Sequence, residues 1–510
     1  MKKFNLSFTT LLITFILMSC GKDSNPTDPG HQNEEISAKK KFVWNGLNFW
    51  YYWQQDVDGL ADGFKENHHD YFTQFDDAED LFNDLKFSED RFSWFIEDYE
   101  KQEDAFKGIS KDFGFSFALL PFNLLFPSGE DRNDIIGYVQ YTVPDTPADK
   151  AGLKRGDLFT GINGQDLTEN NYAKLLGNEH YELSIAEVNN NTISETGETV
   201  SMDAVEIHEN PVYKTEVINA DGIKVGYLLL NAFRDNYHRA LNDSVGTLKN
   251  AGIDELVLDL RYNGGGAIST SSALASMISG NDSTEVFAKF TYGEKRSDLN
   301  SDFDFYSELP LGDETGPIAI NKLNLDHVYI LTGSGTASAS EMVINGLKPY
   351  MDVTIVGEQT VGKDVGSITV YDSPPYYNNK ENLNEHHKIA MQPIVVKLVN
   401  VDGEDYSNHR MNYYKGNVGF IPDQKNIVRE FKYLEDLPAL GDPDDPLLNR
   451  ALEIITGVSS SPKARMQTLS SFSKVQIIDS RDLKPFGKEM YLPSDMNKEL
   501  QKRLSNVNKH

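Results

Sequence analysis

Three short stretches of the chain carry the residue types that acyl chemistry needs. In "LTGSGTASASEM", Ser338 stands among small neighbours, after an apolar run and at the start of a helical pattern. A serine hydroxyl attacks a carbonyl when a base takes its proton, and small neighbours let a bulky substrate come close. The same serine also suits a helix N-cap: Glu341 follows three residues on, so "SASE" matches a capping box, and this stretch taken alone fits a cap as well as a nucleophile. In "VGEQTVGKD", Lys363 follows Gly362. A lysine is a base toward serine if burial lowers its pKa from about 10.4 toward neutrality, whereas an exposed ammonium is not. In "DLRYNGGGA", Gly264, Gly265 and Gly266 lie between an apolar run and a helical one. Consecutive glycines leave N–H groups unshielded and able to converge on an anion. Neither G-x-G-x-x-G nor G-x-x-x-x-G-K-[ST] occurs, which argues against a nucleotide.

These stretches must be brought together by the elements between them. Ser338 and Lys363 are 25 residues apart, enough for one helix and one returning strand, which puts both at the same edge of a sheet. The surrounding texture agrees. "KVGYLLLNAF", "DELVLDLR", "LDHVYILTG" and "DVTIVGE" read as strands, alternating with helical "YHRALNDSVGTLKNAG", "STSSALASMIS" and "SASEMVINGLKPY". Alternation of this kind predicts a layered, largely parallel sheet with its site at the carboxyl ends of the strands. After Lys363 the pattern turns to hairpins, through "SITVYD" and "HKIAMQPIVVKLVNVDGED".

Upstream, residues 41–105 place large aromatic residues three or four apart in "VWNGLNFWYYWQQDV", "YFTQFDDAEDLFNDLKF" and "EDRFSWFIEDYEKQED", predicting a small helical domain. Only Lys86, Arg91 and Lys101 are interleaved in these stretches, among many acidic residues, so those rings suit a core rather than a base-stacking platform. Residues 106–207 alternate, and "PDTPADKAGLKRGDLFTGINGQDLT" combines a short helix closed by Gly152 with a tight Asn163-Gly164 turn. Residues 431–510 give one helix, in "EDLPALGDPDDPLLNRALEII", and then a Ser/Lys-rich tail that the pattern does not place.

The 106–207 pattern resembles PDZ domains of the bacterial peptidase-associated kind. That resemblance makes "FGFS", Phe113, Gly114, Phe115 and Ser116, the loop that binds a peptide carboxylate, while the ligand adds a strand to the sheet edge. A structural β-domain that binds nothing is the alternative. Taken in order, "DLRYNGGGA", "TASASEM", "VGEQTVGK" and "GFIPD" resemble the C-terminal processing (tail-specific) serine peptidases, over about Val43 to Asp423. The resemblance implies an α+β multidomain fold: an N-terminal helical domain, a PDZ-like β-domain and, over 208–430, an α/β peptidase core with a ClpP/crotonase-like layered sheet. It also implies a Ser-Lys dyad of Ser338 and Lys363, an oxyanion hole from the N–H groups of Gly265 or Gly266 and of Ala339, protein or peptide substrates taken by their C-termini, and no cofactor. The family carries a glutamine four residues after the lysine to orient it. Here that residue is Ser367, so Ser367 or a neighbour must do the orienting, or the dyad is weakened.

Composition excludes other classes. The 78 acidic and 48 basic residues give a net charge of −30, and a phosphate backbone needs a basic face, so nucleic acid is not an expected partner. There is no H-E-x-x-H and no cysteine pair, and His386 and His387 read as a solvated loop pair, so no metal site is expected. A Ser-His-Asp esterase lacks its G-x-S-x-G elbow. A binding module that keeps the fold without catalysis remains open, with Ser367 as its support.

The leader "MKKFNLSFTTLLITFILMSC", residues 1–20, reads as a secretory signal that ends on Cys20, the chain's single cysteine. It resembles a bacterial lipobox, which implies acylation of Cys20, a membrane anchor in the bacterial cell envelope, and a polar tether over 21–40. A plain signal peptide or short membrane helix with an incidental cysteine is the alternative.

Overall fold

The computed structural model describes residues 29–63, 68–125, 134–189, 192–311, 316–406, 419–458, 477–484 and 486–507. The leader and Cys20 lie outside the described residues. Among those described, no helix is long and apolar enough to cross a membrane.

The four strands read from the 224–357 pattern join Val212–Ala220, which that pattern did not include, in one five-stranded sheet in the order Val212–Ala220, Ile223–Leu230, Glu255–Asp259, His327–Thr332, Asp352–Gly357. The first pair is antiparallel and the other three are parallel. Both faces of the four strands from Ile223 to Gly357 are covered, and those strands are largely apolar, whereas the edge strand Val212–Ala220 is only partly buried and carries Lys214, Glu216 and Asn219. Leu228, Leu256, Leu258 and Ile330 pack on one face against helices His238–Ala251, Ile268–Ser279 and Ala339–Leu347. Tyr227, Val257 and Leu331 point to the other, against helix Pro446–Thr456. Gly252, at φ 64°, ends the first helix as its sequence predicts.

A second, six-stranded sheet supports the lysine side of the site. Its order is Gly266–Ala267, Met490–Tyr491, Val365–Ser367, Ile394–Val399, Val286–Tyr292, Ser301–Asp304. The tail that the sequence pattern left unplaced therefore supplies an interior strand. Helix Ser494–Val507 follows it, with Leu500 and Leu504 in the main core.

The N-terminal region departs from its reading in three ways. The tether expected over 21–40 gives way to helix Pro29–Trp50. The stretch "EDRFSWFIEDYEKQED" is not one helix: Trp94–Ile96 is a strand, antiparallel to Ala390–Gln392, and helix Tyr99–Phe106 starts only after Asp98 caps the N–H groups of Glu100 and Lys101. Nor is this a domain with its own core. Trp44, Leu47, Trp50 and Phe82 belong to the same apolar cluster as the central sheet.

The β-domain does have its own core, around Phe117, Val139, Phe159 and Leu183. Its strands run Phe115–Pro121, Ile135–Thr142, Leu158–Ile162, His180–Asn189, Thr192–Asp203, and Ile109–Asp112 pairs with Val205–His208 beside them. Asn163 and Gly164 both take positive φ, 53° and 71°, as a two-residue hairpin turn requires. One strand was not expected: Ile478–Asp479 adds to the edge of Phe115–Pro121. A buried ion network ties the domain to the core, with Arg155 bridging Glu430 and Asp445 at 2.9 Å each and Arg261 bridging Asp259, Glu430 and Asp445.

Candidate active site

Ser338 sits at the carboxyl end of strand His327–Thr332, as the N-cap of helix Ala339–Leu347. It is fully buried, with φ 65° and ψ −119°, a conformation that a side chain adopts only when its surroundings hold it. The holding is done by neighbours. Thr336 Oγ1 accepts the Gly333 N–H at 2.9 Å and donates to Leu260 O at 2.8 Å, so it is a turn residue. Ser340 does not cap the helix; its hydroxyl donates to Asn263 O at 3.0 Å and ties the serine turn to the glycine loop. The Glu341 half of the capping box is made, with the Ser338 N–H donating to Glu341 Oε2 at 2.8 Å. The Ser338 hydroxyl itself makes no hydrogen bond, which leaves it for chemistry rather than capping.

The glycine loop lies directly on this hydroxyl. A Cβ at Gly265 would fall 2.6 Å from Ser338 Cβ and 2.7 Å from its Oγ, so only glycine fits there. Asn263 organises the loop, accepting the Gly265 N–H at 2.9 Å and donating to Leu230 O at 2.9 Å. The Gly266 N–H donates to the carbonyl of Glu489 at 2.6 Å. Ala339, the first residue of the helix, is buried beside Ser338.

Lys363 is 1% exposed. Its Nζ donates to Lys488 O and to Glu489 Oε2, both at 3.0 Å, and lies 4.7 Å from the centre of the Phe92 ring. Burial pushes the amine below its ordinary value, against the pull of the Glu489 carboxylate. The same burial raises Glu489, against the pull of Lys363. Both groups are driven toward their neutral forms, and a neutral amine is the form a general base requires. Ser367, in the place of the family's glutamine, donates to Glu489 Oε1 and accepts from Gln392 Nε2 at 2.7 Å. Ser367 therefore reaches the lysine through Glu489, and Gln392 in turn holds Ser367 and Thr369.

Two carboxylates in this site were missed by sequence reasoning. Glu341 accepts from Ser338 N–H, Gly362 N–H and Lys363 N–H at 2.8, 2.6 and 2.8 Å, and from Thr360 Oγ1 at 2.5 Å. It clasps the serine turn to the lysine turn. Burial raises its pKa and those hydrogen bonds oppose the rise. Its place in "SASE" was visible, but only as a capping partner. Glu489 had no local signal, because its tail follows no periodicity and its partners lie over a hundred residues away.

Gly114, Phe115 and Ser116 line one cleft with the glycine loop, with a cavity of 170 Å³ that also touches Arg234, Arg481 and Lys484, whereas Phe113 turns into the β-domain core. Phe113 stacks on Tyr181, ring centres 3.9 Å apart, and Gly114 turns at φ 85°. The histidine pair lies elsewhere: His386 is exposed, while His387 is half-buried with Nε2 3.2 Å from Asp372 Oδ2. Among the described residues no cluster of three or more His, Cys, Asp or Glu could hold a metal.

Comparisons with known proteins bear on this geometry. Residues 224–375 match the model of peptidase family S41, residues 38–94 that of the peptidase S41 N-terminal domain, and residues 138–200 that of the PDZ domain. A carboxyl-terminal-processing protease of Picosynechococcus is 30% identical over 273 residues, covering 49% of this chain and 60% of that protein. A protein of Staphylococcus aureus described as a CtpA-like serine protease is 24% identical over 357 residues, 68% of this chain and 59% of its own length. The matched part thus spans about three fifths of each relative. Among solved structures, one from Bacteroides fragilis crystallised under the name of an S41 protease superposes with a TM-score of 0.61 at 25% identity, covering 82% of this chain and 98% of that one.

Proposed function

The chain belongs to peptidase family S41 and carries a PDZ domain, and from that premise we propose that it is a lipid-anchored serine endopeptidase of the C-terminal processing kind. The observation that carries the reading is a buried serine hydroxyl free of hydrogen bonds, set against Gly265, with a buried lysine held near by through the shared Glu341 clasp.

In the reaction, neutral Lys363 takes the proton of the Ser338 hydroxyl as Oγ attacks the scissile carbonyl carbon. The carbonyl oxygen gains negative charge, and the N–H of Ala339 with that of Gly266, once the Glu489 carbonyl that holds it has moved away, stabilise it; such a donor is worth roughly 3 to 4 kcal/mol in kcat. Collapse of the adduct breaks the C–N bond, and the Lys363 ammonium returns its proton to the leaving amine. Water, deprotonated by the same amine, then releases the acyl group from Ser338. The loop Phe113–Ser116 opens into the same cleft through Gly114, Phe115 and Ser116, and a substrate's C-terminal carboxylate would take the place of the Asp112 carboxylate on the Phe113 and Gly114 N–H groups while the peptide adds a strand.

The test is hydrolysis of casein beside Ser338→Ala and Lys363→Ala. The parent is expected to cut and both variants to fall to background. A parent that leaves several unfolded proteins intact would refute the peptidase reading and favour a PDZ-containing binding lipoprotein. For the anchor, Cys20→Ser is expected to move the protein from the membrane to the soluble fraction, and an unchanged distribution would remove the lipid from the account.

A further inference from the structure

The chain's own C-terminal region occupies both halves of the cleft. At the first half, Ile478–Asp479 pairs antiparallel with Phe115–Pro121, Ile478 opposite Leu119 and Asp479 opposite Ala118. This is the free edge of the β-domain sheet, where a peptide ligand adds a strand. The direction is also that of a ligand. The chain advances from Leu119 toward Ser116, so a peptide in this register would bring its C-terminal end to the loop Phe113–Ser116. Ser480 arrives there, its Oγ 3.1 Å from Ser116 Oγ and 3.4 Å from the Phe117 nitrogen.

At the second half, the Glu489 carbonyl takes the Gly266 N–H, and Met490–Tyr491 pairs parallel with Gly266–Ala267. A Cβ at Gly264 would fall 1.9 Å from Gly487 O, so the tail backbone rests on the glycine loop. Lys363 Nζ is engaged by Lys488 O and Glu489 Oε2, and Ser338 Oγ has no hydrogen-bond partner. The dyad is assembled but not joined.

We infer that residues 478–480 and 487–489 form an internal ligand that holds the cleft closed to substrate, and that a peptide with a free C-terminal carboxylate displaces the strand at the β-domain edge to open it. This rests on the peptidase reading of the cleft. The two contacts differ in how readily they give way. Met490 and Leu492 are buried in the main core and fix the tail there. The edge pairing is a ladder of only two residues, tied to the β-domain by Gln140 Nε2 donating to the Asp479 carboxylate at 3.0 Å, by the Ser480 and Ser116 hydroxyls, and by Lys484 Nζ at 2.7 Å from Asp112 Oδ2 at the surface. Displacement therefore starts at the edge strand, where an incoming peptide replaces like with like.

A crosslink tests this within one protein. Ser116→Cys with Ser480→Cys, on a Cys20→Ser background, leaves only the introduced pair, whose parent oxygens lie 3.1 Å apart. Oxidation pins the strand on the sheet edge and reduction frees it. The probes are a fluorescein-labelled peptide with an apolar C-terminal residue and free carboxylate, and casein. Oxidation is expected to weaken peptide binding by about tenfold or more, equivalent to roughly 1.4 kcal/mol, and to suppress casein hydrolysis, with both restored by reduction. Equal peptide affinity in the two states, or binding in neither, overturns the inference. Redox-gated peptide binding with no hydrolysis in either state supports the internal ligand and removes the peptidase reading. Hydrolysis indifferent to the crosslink keeps that reading and overturns the internal ligand.

Discussion

A lysine that serves as a base must be buried enough to lose its proton, yet Lys363 is buried beside a carboxylate that favours keeping it. Desolvation lowers the amine and Glu489 raises it, so the operating pKa is set by the difference between two opposing effects. Glu489→Gln removes the carboxylate charge and keeps a hydrogen-bonding side chain toward Lys363 and Ser367. The base then deprotonates at lower pH, and the rising limb of kcat/KM against pH is expected to shift to lower pH. A limb that stays in place would separate Glu489 from the titration of Lys363. Ser338 and Lys363 stand out as candidates in the sequence because short-range neighbours frame them: small residues on one side, Gly362 on the other. Glu489 was not, since its role comes entirely from a contact with a residue 126 positions away in sequence.

At the scale of elements, two strand-to-helix or strand-to-hairpin turns must stay in register for the dyad to exist, and Glu341 joins them. Glu341→Ala leaves the N–H groups of Ser338, Gly362 and Lys363 buried without their acceptor. At about 1–3 kcal/mol for each unsatisfied buried donor, the variant is expected to lose at least about 3 kcal/mol of stability in urea unfolding, and its activity with it. Glu341→Gln, which retains one acceptor oxygen, is expected to lose less; equal stability of all three proteins would deny the clasp. The four parallel strands of the central sheet were readable because each is an apolar run bounded by glycine, aspartate or a helix signal; the antiparallel edge strand Val212–Ala220, with Lys214, Glu216 and Asn219, was not. Trp94–Ile96 was misread for a physical reason. A run of large apolar residues fits a helix face and a buried strand equally, and the antiparallel partner at Ala390–Gln392 decides between them.

Across the whole molecule, the sequence divided the chain more cleanly than the fold does. The helical region and the peptidase core share one apolar cluster, so the N-terminal aromatics stabilise the sheet that carries Ser338. The β-domain keeps a separate core but is locked on through Arg155, whose guanidinium bridges two carboxylates of the C-terminal part of the chain. The tail then threads back through both, adding a strand to each sheet near the cleft. Periodicity reports which face of an element is buried, and it is silent on such long-range pairing. The central claim is that Ser338, activated by Lys363, forms the covalent intermediate. Its most direct test is mass spectrometry of the protein after brief exposure to an activated ester, with the modified peptide identified and the experiment repeated on Lys363→Ala. The account predicts an acyl group on Ser338 in the parent and none in the variant; an acyl group on another residue, or equal acylation of Ser338 without Lys363, would contradict it.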